Sequence, residues 1–181
     1  MKPINVITTS IDGLFLLETV NFQDSRGAFQ KVFNADFFKQ NGLECDFKEL
    51  YYSVNNKNVI RGMHFQLPPH DHVKMVYVSK GKIIDVVLDI RKESATYGKY
   101  FSIELNGTEG KYLYIPRGMA HGFISLEDQS IVNYAQTSCY APEHDCGIDR
   151  NSFGFKWPID KPIVSVRDLT FPPLKDFNSP F

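Results

Sequence analysis

Cysteine is scarce in this sequence: Cys45, Cys139 and Cys146 are the only three in 181 residues, an odd number with no C-x-x-C spacing. That argues against a disulfide framework and a thiolate zinc site, and fits a reducing compartment. An excess of one charge is also missing. Lys+Arg 20 stand against Asp+Glu 21, a formal net charge of -1, so no overall basic field draws in nucleic acid or an anionic membrane. Any phosphate site must therefore be local. No apolar run reaches the roughly 18 residues of a membrane span, and the opening MKPINVITTSIDG lacks the uninterrupted apolar core of a signal peptide. The expectation is a soluble cytoplasmic protein with no nucleic-acid or membrane partner. Linkers, repeats and low-complexity tracts are absent as well, so residues 1–181 read as a single domain, and 43% apolar content suffices for a core without disulfides or a structural metal.

What is present is β-sequence. From Leu14 onward, short segments rich in Val, Ile, Phe and Tyr are interrupted by Gly, Pro, Asn or Asp about every ten residues, the pattern of an all-β sandwich or barrel. Val73–Val78 and Lys82–Ile90 are too apolar for one wet face and read as central strands, joined by Ser79-Lys80-Gly81 as a hairpin. Ala35–Asn41 is the one helix expected in the first half, with Asn34 as N-cap and Gly42 as its stop. Beyond Pro142 the chain turns polar and proline-punctuated, an extended C-terminal arm with one short helical turn.

Chemistry concentrates in a few places. In Gly110–His121 a Pro116-x-Gly118 turn puts His121 just inside a strand, where it points into a barrel. This spacing resembles the second signature of the cupin superfamily, whose metal-binding members add two histidines and a glutamate. Counting back from Gly81 to the glutamate position lands on Lys74, an ammonium that ligates no metal, and His70-Asp71-His72 lacks a partner carboxylate at the needed offset. No metal is expected. His64, Lys74, His121 and Tyr134 remain: a base, a cation and an acid. Abstraction of a proton α to a ketone makes an enolate that Lys74 can stabilise, and re-protonation from the opposite face needs a separate acid such as a tyrosine.

From about Phe22 to Leu174 the chain resembles the dTDP-4-dehydrorhamnose 3,5-epimerase family. The resemblance rests on FQDSRGAF (22–29), VIRGMHFQ (59–66), DVVLDIR (85–91), IPRGMAHGF (115–123), APE to GI (141–148), Trp157-Pro158 and SVRD (165–168), in that order. It implies a jelly-roll β-barrel with a short crossover helix and an extended C-terminal arm. It also implies catalysis without metal or organic cofactor, and a homodimer formed through the sheets. It carries over His64 as general base oriented by Asp168, Tyr134 as acid, Lys74 as enolate stabiliser and His121 as a further polar group. Arg26 and Arg61 fall where the family binds the diphosphate, and Phe29, Glu49, Gln66 and Tyr140 complete the substrate-binding set. Surface-polysaccharide biosynthesis is the implied setting.

The chain departs from the family pattern at Lys31, Glu49, Tyr51 and Cys139, around the nucleotide base. A carboxylate at Glu49 can accept two hydrogen bonds from the N1 and N2 edge of guanine, which keeps a GDP-linked 4-keto sugar, including a heptose, beside the dTDP reading. Inversion at C3 only or C5 only, a 3,4-ketoisomerase and a non-catalytic sugar-nucleotide binding module are the other readings. Each residue also has a plain structural alternative. His121 reads as a paired core histidine, Lys74 as an edge-strand charge, Tyr134 as an ordinary strand residue, Asp168 as a turn cap and Arg26-Gly27 as a simple hairpin. The ordered conjunction of motifs favours the functional set.

Overall fold

The computed structural model describes residues 4–181. In chain order the strands are β1 (Ile4–Thr8), β2 (Phe15–Thr19), β3 (Asn21–Asp24), β4 (Gly27–Gln30), β5 (Glu49–Asn55), β6 (Ile60–Gln66), β7 (Lys74–Lys80), β8 (Lys82–Asp89), β9 (Tyr100–Asn106), β10 (Lys111–Ile115), β11 (Met119–Ser125), β12 (Ser130–Gln136) and β13 (Asp145–Gly147). Between β4 and β5 lies the helix α1 (Ala35–Gln40). Its start is as the sequence dictates, the Asn34 side chain accepting the Phe37 N–H at 2.9 Å. It ends one residue earlier than expected because Asn41 takes the cap position, with Gly42 following at φ 70.

Among the described residues the strands form two larger sheets and one hairpin. The six-stranded sheet runs β1-β2-β10-β7-β12-β5, the five-stranded sheet β13-β6-β11-β8-β9, and β3 pairs with β4 alone. No sheet closes, so the expected jelly-roll barrel is corrected to two open sheets packed face to face. The edge strands β5 and β13 both border the cavity described below, and a ladder joining them would seal it.

Alternation along the strands explains the packing. On β7, Val76 and Val78 face inward with Leu113 of β10, Val132 of β12, and Ile83, Val87 and Phe123 of the opposite sheet. Met75 faces the other way, against Phe38 of α1, Tyr112 and Leu43. The outer face of the five-stranded sheet, with Met63, Val86, Leu88 and Ala120, is covered by Trp157, Phe177 and Phe181 of the C-terminal arm. Both sheets are thus apolar on two faces, which is why β7 and β8 show no polar face in the sequence.

The connection through Ser79-Lys80-Gly81 is not a hairpin. β7 pairs with β10 and β12, whereas β8 pairs with β11 and β9, so the chain crosses there from one sheet to the other. Gly81 makes the crossing at φ 77, with Ser130 so close that a Cβ would collide. The arm is also more structured than expected, with β13 added to the five-stranded sheet beside β6 and 3-10 turns at Pro142–His144, Arg167–Leu169 and Leu174–Asp176. No helix among the described residues is long and apolar enough to cross a membrane.

Candidate active site

Between the sheets, at their β5 and β13 edges, lies a cavity of about 430 Å³. One wall is the inner face of the six-stranded sheet: Glu49, Tyr51 and Ser53 from β5, Tyr134 and Gln136 from β12, and Lys74 from β7. The other wall carries Arg61, His64 and Gln66 from β6 and His121 and Phe123 from β11. Arg61 and His64 differ by an odd number of positions and strict alternation would send them to opposite faces. Both reach the cavity because β6 is irregular there: His64 opposes His121 while Arg61 opposes Phe123, so two residues of β6 face the single Gly122. Gly62 at φ 133 allows the close approach to β11, where a Cβ would strike the backbone of Gly122.

His64 is fixed from behind. Its Nε2 lies 2.9 Å from Asp168 Oδ1, and the second carboxylate oxygen accepts the Gly62 N–H at 3.0 Å. Burial alone would raise the Asp168 pKa, but the hydrogen bonds from His64 and Gly62 and the charge of His64 hold it below the usual carboxylate value. An ionised Asp168 accepts the Nε2–H hydrogen bond, which places the free lone pair of the imidazole on Nδ1. The ring of Phe171 packs edge-on against the imidazole at 5.6 Å.

Three further groups complete this end of the cavity. Lys74 is 8% exposed, and among the described residues its ammonium makes no hydrogen bond. Burial lowers its pKa to about 8, against the opposing pull of Asp145 and Asp85. His121 donates from Nε2 to Asp85, 2.9 and 3.0 Å from its two oxygens, and burial outweighs that carboxylate to lower the histidine pKa. Tyr134 is buried, which pushes its phenol pKa up despite a long contact of 3.4 Å to Ser53 Oγ. The site therefore offers at neutral pH an oriented imidazole, an unpaired buried cation and a protonated phenol.

At the outer end, Arg61 donates from Nε to Asn55 Oδ1 at 2.8 Å, and its terminal nitrogens have no protein partner among the described residues. Arg167 pairs with Asp145 at 2.7 Å. Glu49 Oε2 accepts the Tyr140 N–H at 2.8 Å, and its other oxygen is unpaired among the described residues. No group of three or more His, Cys, Asp or Glu side chains that could hold a metal ion occurs among the described residues. His72 reaches the cavity, but burial first, with Lys74 nearby, lowers its pKa to about 3, and its Nδ1 lies 3.3 Å from both Gln66 and Ser138.

Residues 8–176 match the family described as dTDP-4-dehydrorhamnose 3,5-epimerase. The chain belongs to that family. A family member from Methanothermobacter thermautotrophicus is 39% identical over 181 residues, covering 97% of each chain. The solved epimerase of Legionella pneumophila, in complex with dTDP-4-keto-L-rhamnose, superposes with a TM-score of 0.92 at 31% identity over 97% of this chain and 95% of that one. A 3′-monoepimerase from Streptomyces bikiniensis, in complex with dTDP-quinovose, gives 0.88 at 28% identity over 92% and 86%. As a member of the dTDP-4-dehydrorhamnose 3,5-epimerase family, the chain is an isomerase acting on carbohydrates.

The structure brings most of the sequence-derived set together around one cavity: His64, Lys74, His121, Tyr134, Glu49, Arg61, Gln66 and Tyr140 line it, and Asp168 stands behind His64. Arg26 and Phe29 are not brought there. They sit on the β3–β4 hairpin, where the Arg26 side chain is 88% exposed and paired with Asp24, and Phe29 is exposed. Gln66 borders the cavity, but its amide is occupied by protein. It donates to the His70 and Cys139 carbonyls and to Ser138, and accepts the Ala141 N–H at 2.7 Å, pinning the loop that carries Tyr140. Sequence reasoning gave no role to Asp85, Ser53, Gln136, Asp145 or Arg167. Alternation marks Asp85 as sharing the inner face with Ile83 and Val87 of β8, whereas nothing local links Asp145 to Arg167.

Proposed function

We propose that this family member inverts C3 and C5 of a dTDP-linked 4-keto-6-deoxy sugar by proton transfer alone. The observation that carries the reading is the placement of the Asp168-held His64 on one sheet and Tyr134 on the other, with the unpaired Lys74 ammonium in the same cavity. Nδ1 of His64 takes the proton from the carbon next to the ketone, and the C–H electrons move into an enolate whose oxygen Lys74 stabilises. Tyr134 protonates the carbon from the opposite face, and solvent restores both residues before the second carbon reacts. Proton transfer involves no net oxidation, so it calls for no redox cofactor. A sugar-binding module has no use for an unpaired buried ammonium beside an oriented imidazole, and that favours catalysis.

The Legionella complex supports a dTDP-4-keto sugar as substrate. The similarity to a 3′-monoepimerase supports a second reading, inversion at C3 alone. Arg61, with its free guanidinium nitrogens, is suited to the diphosphate, and the free oxygen of Glu49 can accept an N–H from guanine as from thymine N3, which keeps GDP as the alternative nucleotide. The chain acts, on this reading, as one cytoplasmic domain in a homodimer. Exposed Phe22 and Phe29 on the β3–β4 hairpin and Leu50, Tyr52 and Val54 on the outer face of β5 are apolar surface for a second copy to cover. Arg26, aimed away from its own cavity, would then serve the other.

Incubation of chelator-treated protein in heavy water with dTDP- and GDP-linked 4-keto-6-deoxy sugars, followed by NMR and mass spectrometry, tests the reading. Deuterium entering C3 and C5, and lost in His64→Ala, is expected. Entry at one carbon selects the single epimerase, and none with any sugar despite tight nucleotide binding removes the enzymatic reading.

A further inference from the structure

Tyr134 has a neighbour that the proposed chemistry does not use. Tyr51 stands directly opposite it in the β5–β12 ladder, and the two rings are stacked with centroids 4.6 Å apart and planes 16° apart. Both side chains line the cavity. Beyond its place in the buried core, Tyr134 has no short polar contact: His121 meets its ring edge-on at a centroid distance of 6.3 Å, and the contact to Ser53 at 3.4 Å is long for an O–H···O hydrogen bond. Packing rather than a short hydrogen bond sets where the phenol points, and Tyr51 covers one face of that ring.

We propose that Tyr51 is a positioning residue that aims the Tyr134 hydroxyl at the sugar ring and thereby decides how the enolate is re-protonated. This rests on the assignment of Tyr134 as the acid. Once formed, an enolate has two proton sources. Return from His64 on the original face gives exchange with retention, whereas delivery from Tyr134 gives inversion. His64 stands on the opposite sheet and is held from the C-terminal arm by Asp168, which Gly62 binds in turn, and by Phe171, none of which belongs to the tyrosine stack. Loss of the Tyr51 ring should therefore leave proton abstraction running while inversion fails, and a misaimed catalytic group loses on the order of tenfold or more in rate.

The test measures, in heavy water with a dTDP-linked 4-keto-6-deoxy sugar, deuterium in recovered substrate against deuterium in inverted product. Tyr51→Leu, with Tyr51→Val as a second strand-forming replacement, is expected to raise the exchange-to-inversion ratio by roughly tenfold, and Tyr51→Phe, which keeps the stack, to restore it. Tyr134→Phe should show the same shift, and adding Tyr51→Leu to it should change the ratio no further, as expected of two residues acting through one group. Exchange and inversion falling in parallel in both aliphatic variants would overturn the proposal, because a general loss of cavity structure lowers both. Tyr134→Phe leaving the ratio unchanged would instead overturn the acid assignment on which the proposal rests.

Discussion

Lys74→Met should make the protein more stable and nearly inactive. Methionine keeps the unbranched shape of the lysine stem and removes the charge. Lys74 is buried on the inner face of β7 with no hydrogen bond to its ammonium among the described residues, and burial lowers its pKa from 10.5 to about 8. At about 1.4 kcal/mol per pH unit, that drop corresponds to about 3 kcal/mol of stability missing wherever the lysine is charged in both folded and unfolded chains. Its contribution is fully unfavourable below pH 8, is relieved as pH rises from about 8 to 10.5, and vanishes above. Urea unfolding of the parent and the variant at pH 7 and again near pH 10 reads this directly. With a slope of about 2 kcal/mol/M, the variant midpoint should lie roughly 1.5 M higher at pH 7 and close to the parent value near pH 10. The same variant should lose a factor of about 100 or more in kcat, the scale of one lost electrostatic stabiliser. A variant less stable than the parent at pH 7, or an advantage that does not shrink with pH, would show that Lys74 is not the desolvated cation described here.

Other perturbations reach different parts of the site. In the unaltered protein kcat should fall as pH rises through about 8, where Lys74 loses its proton, and a pH–rate profile checks this. Asp168→Asn keeps the shape but leaves one acceptor oxygen for two donors, the Gly62 N–H and the His64 Nε2–H, so the His64 tautomer is no longer fixed and kcat should fall by about 10²- to 10⁴-fold with little change in KM, measured by steady-state kinetics. Gly62→Ala forces a Cβ against the backbone of Gly122 from a positive φ, and should lower the unfolding free energy by about 1–3 kcal/mol in urea titrations. Gln66→Leu unpins the loop bearing Tyr140, so KM should rise several-fold while kcat changes less.

The placement of individual side chains was more legible than the pairing of strands. Lys74, Val76 and Val78 share a face by simple alternation, and counting from Gly81 put Lys74 inside. The same Gly81 nevertheless ends a strand of one sheet and begins the other. A short glycine turn between two apolar strands looks alike whether the strands pair or part, and only long-range ladders decide. The open sheets escaped notice for the same reason, since closure depends on whether distant edges such as β5 and β13 meet. His64 and Asp168 stand in separate motifs of the sequence, and the structure pairs them. The stacking of Tyr51 on Tyr134 depends on β5–β12 register, and the Asp145–Arg167 pair joins a strand to a distant turn of the arm. Arg26 and Phe29, expected in the substrate-binding set, lie outside the cavity of their own chain.

Among the described residues β5 is an edge strand, bonded only to β12, whereas β6, β7 and β12 are each flanked on both sides. The groups assigned to proton transfer stand on the doubly flanked strands, and Glu49, Tyr51 and Ser53 stand on the edge. Replacements along β5 disturb a single ladder, so recognition can drift at Glu49 while the reaction is preserved, provided that the Tyr51 ring stays on Tyr134. An engineer seeking new sugar nucleotides should randomise Glu49 first and keep an aromatic ring at Tyr51.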